Sequence, residues 1–125
     1  MKIAISSIGK NLESEVDSRF GRCPYFIIME IDKEKKKIEN KKTIENPAIT
    51  QFGGAGPTAA QLVGNEKIDA VISVNLGPRA FQVLNQLGIK IYQGKGKIKD
   101  VVQDFMDGKL TEIEDATGPM FMGKK

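Results

Sequence analysis

A chain of 125 residues has room for one domain with a modest core, and 40% apolar with 28% charged residues excludes a disordered polymer. Composition also removes whole classes of chemistry. With no histidine, no serine–histidine or cysteine–histidine pair operates within the chain; with one cysteine, Cys23, neither an intrachain disulfide nor a multi-Cys/His zinc site can close. The net charge of +3 is local: residues 33–42 hold six lysines and two glutamates, and the remainder is slightly acidic. That run contains no arginine or aromatic residue, so it reads as a solvated hairpin tip and not as a nucleic-acid footprint. The longest aromatic–aliphatic run, 25–29, is far short of the roughly 20 residues that span a bilayer. The N-terminus turns polar at Ser6 and Ser7, too early for a secretory signal, so the expected location is the cytoplasm, with no membrane contact.

In chain order, Lys2-Ile3-Ala4-Ile5-Ser6 predicts a first, short apolar strand. Residues 7–24, with Gly9, Gly21 and Pro24, predict a long loop with at most one helical turn, and loops of that length in a compact domain are often functional. A second strand is expected over 25–32, a lysine-rich turn next, and a third strand over 37–45. Asn46-Pro47 ends it, and Gln51-Phe52-Gly53-Gly54-Ala55-Gly56 approaches a helix whose first position suits Pro57. A fourth strand is expected over 68–74, a helix from Pro78 closed by Gly88, a fifth strand over 89–92, and a third helix from Lys97 to Met106 ended by Gly108. Residues 1–115 are expected to form a single domain and 116–125 a flexible tail.

The order β-β-β-α-β-α-β-α combines a hairpin with right-handed strand–helix–strand units, which predicts an α/β fold with a mixed five-stranded sheet of order 3-2-1-4-5 and helices on its faces. In that topology the carboxyl ends of strands one, three, four and five share one edge, where open α/β sheets bind ligands. Three helix N-termini, near Pro57, Pro78 and Lys97, are expected there, offering unpaired N–H groups to an anion, with Arg22, Arg79, Lys95 and Lys97 adding charge. Gly53-Gly54-Ala55-Gly56 has two readings, an anion-holding nest and a plain turn that needs positive φ; it lacks the ending of a nucleotide P-loop. Asn75-Leu76-Gly77-Pro78 likewise reads as a ligand loop or a simple helix start. Cys23 follows Arg19 and Arg22, whose charges would lower its pKa and favour a soft metal; its alternative role is a small buried hydrophobe. Met120 and Met122 are soft atoms on the tail, with an incidental role expected.

With these residues assembled, the chain resembles the dinitrogenase iron–molybdenum cofactor family, the group of NifX, the cofactor-binding part of NafY, the C-terminal part of NifB and small stand-alone proteins. The resemblance is carried by Ser6-Ser7-Ile8-Gly9, by 16–26 (Val-Asp-Ser-Arg-Phe-Gly-Arg-Cys-Pro-Tyr-Phe), by Glu45-Asn46-Pro47 and by Gly53-Gly54-Ala55-Gly56. It continues through Gly77-Pro78-Arg79-Ala80-Phe81 into Leu87-Gly88-Ile89-Lys90-Ile91-Tyr92. It implies a ribonuclease-H-like fold and non-enzymatic binding or carriage of an iron–molybdenum cofactor, its precursor or a related iron–sulfur cluster. It also implies metallocluster assembly or acceptor proteins as partners. Nitrogen-fixation members often have histidine before the Phe-Gly pair, where this chain has Arg19, so a histidine-ligated cofactor does not transfer.

The candidate cofactor-binding residues are therefore Ser7, Arg22, Cys23, Gly53, Gly54, Ala55, Gly56, Asn75, Gly77 and Arg79, with Cys23 the candidate metal ligand. The remaining coordination would come from ligands brought by the cluster or by a partner, and a homodimer would bring a second Cys23. A metal-free regulatory or small-anion-binding module would use the same edge. A nuclease is not expected, because the first strand carries no carboxylate and Asp17 and Asp69 form no evident cluster.

Overall fold

The computed structural model describes residues 1–114; the expected tail, with Met120 and Met122, lies outside the described residues. The elements are β1 (Lys2–Ser7), β2 (Tyr25–Asp32), β3 (Lys37–Glu45), α1 (Ala55–Gly64), β4 (Ala70–Ser73), α2 (Pro78–Gln86), β5 (Lys90–Gln93), α3 (Ile98–Met106) and β6 (Thr111–Glu112), with 3-10 turns at Phe20–Arg22 and Pro47–Thr50.

One mixed sheet runs in the order β3-β2-β1-β4-β5-β6. β1 pairs antiparallel with β2 and parallel with β4, β2 pairs antiparallel with β3, and β4 pairs parallel with β5. The expected order therefore holds for five strands. The sixth is an addition, pairing Tyr92 with Glu112 and Gln93 with Thr111. Two residues are too few to display a period of two in sequence. What holds them is Ile113, which is buried and whose N–H donates to the Ile91 carbonyl at 2.7 Å.

The central strands are apolar on both faces because both faces are covered. Ile3, Ile5, Ile27, Met29, Ile31 and Ile72 pack towards α3, while Ala4, Phe26, Ile28, Val71 and Ile91 pack towards α1 and α2. Each such isoleucine removed from water contributes roughly 2 kcal/mol, so β1, β2 and β4 supply a large share of the fold's hydrophobic stabilisation. The edge strand β3 is largely exposed, and its lysines keep that edge from pairing with another sheet.

The lysine-rich turn sits at the sheet edge opposite the carboxyl ends of β1, β4 and β5. Asp32 caps it by accepting from the N–H groups of Glu34 and Lys35, and Lys36 takes the left-handed conformation at φ 53°. Three of the lysines here have local partners: Lys36 meets Asp107 at 2.8 Å, Lys42 meets Glu66 at 2.8 Å, and the Lys33 ammonium lies 4.9 Å above the Phe105 ring.

The long loop between β1 and β2 is tied down at several points. Val16 donates to the Gly96 carbonyl and Asp17 to that of Ser6, both at 2.9 Å, and bridges join Ser7 to Val16 and Glu15 to Lys97. Two helix starts differ from expectation. α1 begins at Ala55 and not at Pro57, because Gly54 adopts φ 72° and turns the chain into the helix two residues sooner. Pro57 remains tolerated, since no N–H in the first turn has an intrahelical acceptor. α3 begins at Ile98, and the loop occupies the donors of its first turn: Ile98 donates to Ser14 and Lys99 to Leu12, at 2.8 and 3.0 Å.

Candidate functional site

At the carboxyl ends of β1 and β4, the chain leaves an open crevice of about 740 Å³. It lies between the Phe20–Arg22 turn and the N-termini of α1 and α2, and is lined by Ser18, Arg19, Phe20, Gly21, Arg22, Gly54, Ala55, Gly56, Pro57, Asn75 and residues 77–80. Three arginines and no carboxylate stand in that lining. Neither helix has a side-chain cap, so the first-turn N–H groups of Ala55 and Gly56 and of Arg79 and Ala80 are not satisfied by their own helices. Two positive helix ends and three guanidinium groups converge on one space.

Each wall has an identifiable cause. Ser6 Oγ donates to the Asp17 carbonyl and lies 3.0 Å from Ser73 Oγ, which itself donates to the Asn75 carbonyl at 3.2 Å. These buried hydroxyls tie β1, β4 and the loops leaving them into one polar floor. Asn46 is buried, and its amide donates to the carbonyls of Gly21 and Cys23 at 3.1 and 2.8 Å while its oxygen accepts from Ala48 at 3.1 Å. It fastens the Phe20–Arg22 turn to the segment that leads into α1.

Gly21 makes the closest approach. A Cβ there would stand 2.7 Å from the Gly56 nitrogen and 2.8 Å from its Cα, backbone atoms that cannot rotate away. Gly21→Ala is therefore expected to push the turn off α1 and lower stability by about 1–3 kcal/mol in chemical denaturation. An unchanged midpoint would show that the turn does not rest on the helix.

The three arginines are committed differently. Arg19 is clamped by buried Asp17, with both side-chain contacts at 3.1 Å and the Arg19 N–H donating to Asp17 Oδ1 at 2.8 Å. Arg22 donates to the carbonyls of Ile49 and Gln51. Arg79 is exposed, and its guanidinium has no hydrogen bond or ion pair among the described residues.

Of the residues expected from sequence, Arg22, Gly54, Ala55, Gly56, Asn75, Gly77 and Arg79 line the crevice; Ser7, Cys23 and Gly53 do not. Ser7 is buried, its hydroxyl donating to the Gly9 carbonyl at 2.6 Å. Gly53 is exposed beyond the rim. Lys95 and Lys97 also fall outside the lining, and Lys97 pairs with Glu13 at 3.5 Å.

Cys23 lies as the buried-hydrophobe reading expects. Its side chain is fully buried against the α1–α2 core, and its thiol lies 3.3 Å from the Phe20 carbonyl that accepts from it. Burial first, and then the negative charge of Asp17, push its pKa up to about 12; hydrogen bonds involving Ser7 and Asn46 offset this only in part. Burial and Asp17 therefore outweigh the lowering expected from Arg19 and Arg22.

Ser18, Arg19, Phe20, Gly21, Pro57, Pro78 and Ala80 are lining residues absent from the candidate set; the Arg19-Phe20-Gly21-Arg22 run, with two arginines about a glycine, is the signal for three of them. Asp17 and Asp69 lie at opposite ends of β1, since Asp69 accepts from Lys2 and Asp17 holds Ser6. No group of three His, Cys, Asp or Glu residues capable of holding a metal ion occurs among the described residues.

Comparison with known proteins gives a consistent result. The family model described as dinitrogenase iron–molybdenum cofactor matches residues 1–108. The uncharacterised protein MJ0580 of Methanocaldococcus jannaschii is 36% identical over 116 residues, covering 91% of this chain and 97% of that protein. Among solved structures, the apo form of the orange protein from Desulfovibrio gigas superposes with a TM-score of 0.81 at 31% identity, over 94% of this chain and 96% of its own. A Thermotoga protein assigned to NifB and to the DUF35 family gives 0.77 at 34% identity, over 94% and 97%.

Proposed function

The chain belongs to the dinitrogenase iron–molybdenum cofactor family, and from that premise we propose that it is a non-enzymatic carrier. Its cargo would be an anionic iron–molybdenum or related iron–sulfur cluster, or a precursor, held in the crevice and passed between assembly and acceptor proteins of the cytoplasm. What supports this is the crevice lining: three arginines, two uncapped helix N-termini and no carboxylate around about 740 Å³. Such a site suits a polyanion. With no side-chain ligand set among the described residues and with Cys23 buried, the cargo arrives with its own ligands complete. The protein then contributes outer hydrogen bonds and charge, which can be released without breaking a metal–protein bond.

The test is an anaerobic titration with a synthetic cubane iron–sulfur cluster carrying its own thiolates, followed by size-exclusion chromatography with visible detection. Stoichiometric co-elution is expected, equal in wild type and Cys23→Ser. Co-elution that drops in the serine variant would place the thiol among the ligands and require the Phe20–Arg22 turn to open. The same donors also fit a metal-free anion, which supports a second reading as a small-anion-binding regulatory module. Saturable binding of a phosphorylated metabolite by a protein that retains no cluster would establish it.

A further inference from the structure

Phe52 stands apart from the rest of the core chemistry. Phe20, Phe26 and Phe105 are buried and Phe81 is half-buried, whereas Phe52 is fully exposed, at 103%. Leaving a phenyl ring in water forgoes about 2 kcal/mol of burial, and this one precedes by two residues Gly54, which lines the proposed site. It lies in an uncharged stretch, 46–65, that continues through α1, although charged residues make up 28% of the chain. Ile49, in the same run, is 39% exposed. The segment before α1 ends at Gly54, which both lines the crevice and caps α1 at φ 72°; a Cβ on Gly53 would meet nothing within 4 Å. Two consecutive glycines with free space around the first make a hinge between Phe52 and the crevice wall.

What holds the run in place is a crevice group. Arg22 donates to the carbonyls of Ile49 and Gln51, and the Gln51 amide donates to the Gly53 carbonyl. A guanidinium bonds more strongly to an anionic acceptor than to a neutral carbonyl, so an anion in the crevice competes directly for Arg22.

We infer that residues 49–53 are a strap over the crevice, held back by Arg22, and that Phe52 is the residue that covers bound cargo. An arriving polyanion draws Arg22 away from the Ile49 and Gln51 carbonyls, the strap turns at Gly53-Gly54, and the Phe52 ring lies on the apolar side of the cargo. The ring thereby leaves water and shields the cargo from it. Removal of cargo by an acceptor returns Arg22 to the carbonyls and reopens the site. This inference rests on the carrier reading, and it adds a residue and a motion to it.

Chymotrypsin supplies the test, because it cleaves after an exposed phenylalanine. Cleavage at Phe52–Gly53 is followed by mass spectrometry in the free protein and in protein loaded with the thiolate-ligated cubane cluster. Loading is expected to slow cleavage at least about tenfold, in line with removing a locally open site from the protease. In parallel, Phe52→Ala is expected to weaken cluster retention about tenfold while leaving the denaturation midpoint unchanged, the loss of roughly one buried ring face. If the wild type retains cluster but cleavage at Phe52 and the affinity of Phe52→Ala are both unchanged, the strap is wrong and the crevice stands. If the wild type retains no cluster, the carrier reading and the strap fall together.

Discussion

Cys23 in the folded protein should react with a soluble disulfide reagent at pH 8 about a thousandfold more slowly than in the unfolded chain. Thiolate is the reactive form. A thiol whose pKa is raised from its ordinary value near 9 to about 12 is ionised about a thousandfold less at that pH, before steric occlusion is counted. Labelling with and without denaturant, quenched and read by mass, measures the ratio directly. A native rate within tenfold of the unfolded one would mean that the Phe20–Arg22 turn opens readily and that the thiol is available to cargo after all.

The same burial fixes the sign of a pH effect on stability. Between pH 9 and 12 the unfolded chain has lost the Cys23 proton that the folded chain keeps, so stability falls as pH rises through that window. The slope contributed by this group is about 1.4 kcal/mol per pH unit, and below pH 9 it contributes none. Cys23→Ala removes the slope, which isolates it from the titration of tyrosines and lysines in the same range. The same slope between pH 9 and 12 in wild type and Cys23→Ala would contradict the placement of a protonated, buried thiol.

What sequence reading recovered and what it missed divide along a physical line. The strand order followed from alternating periods and the handedness of crossovers, which are local patterns repeated over many residues. The crevice followed from topology, since strand direction alone decides which loops share an edge; Gly54, Ala55, Gly56, Asn75, Gly77 and Arg79 were placed there on that basis, and all line it. Side-chain direction is a different matter. Arg19 and Arg22 neighbour Cys23 in the chain, yet Asp17 and two carbonyls hold them, and Cys23 packs inward against the α1–α2 core. The α3 N-terminus has the composition of an anion site, but the loop carbonyls of Leu12 and Ser14 already occupy its donors. Asn46 read as the end of a strand because its function is a set of contacts with Gly21 and Cys23, more than twenty positions away. Asp17 is only two positions from Arg19, but the other deciding partners are distant in sequence, and no local pattern names them.

Those partners also rank the arginines. Arg79→Glu should weaken retention of the thiolate-ligated cluster about a hundredfold at low salt and much less at high salt, as expected for reversing one partly screened charge beside a polyanion. Arg79 is the one to expect this of, because its guanidinium has no hydrogen bond or ion pair among the described residues and so carries a charge that cargo can meet. Arg19→Gln should behave in the opposite way. It leaves buried Asp17 without its clamp, so its cost appears in folding stability, while the net charge of the Asp17–Arg19 pair that cargo meets is already close to zero. Measuring both affinity and denaturation midpoint for the two variants separates the roles. Equal losses of affinity from Arg79→Glu and Arg19→Gln would show that the crevice attracts cargo through summed charge alone. A loss confined to Arg79→Glu means that the fold commits Arg19 to building the site, while Arg79 meets cargo with a charge that no described side chain has claimed.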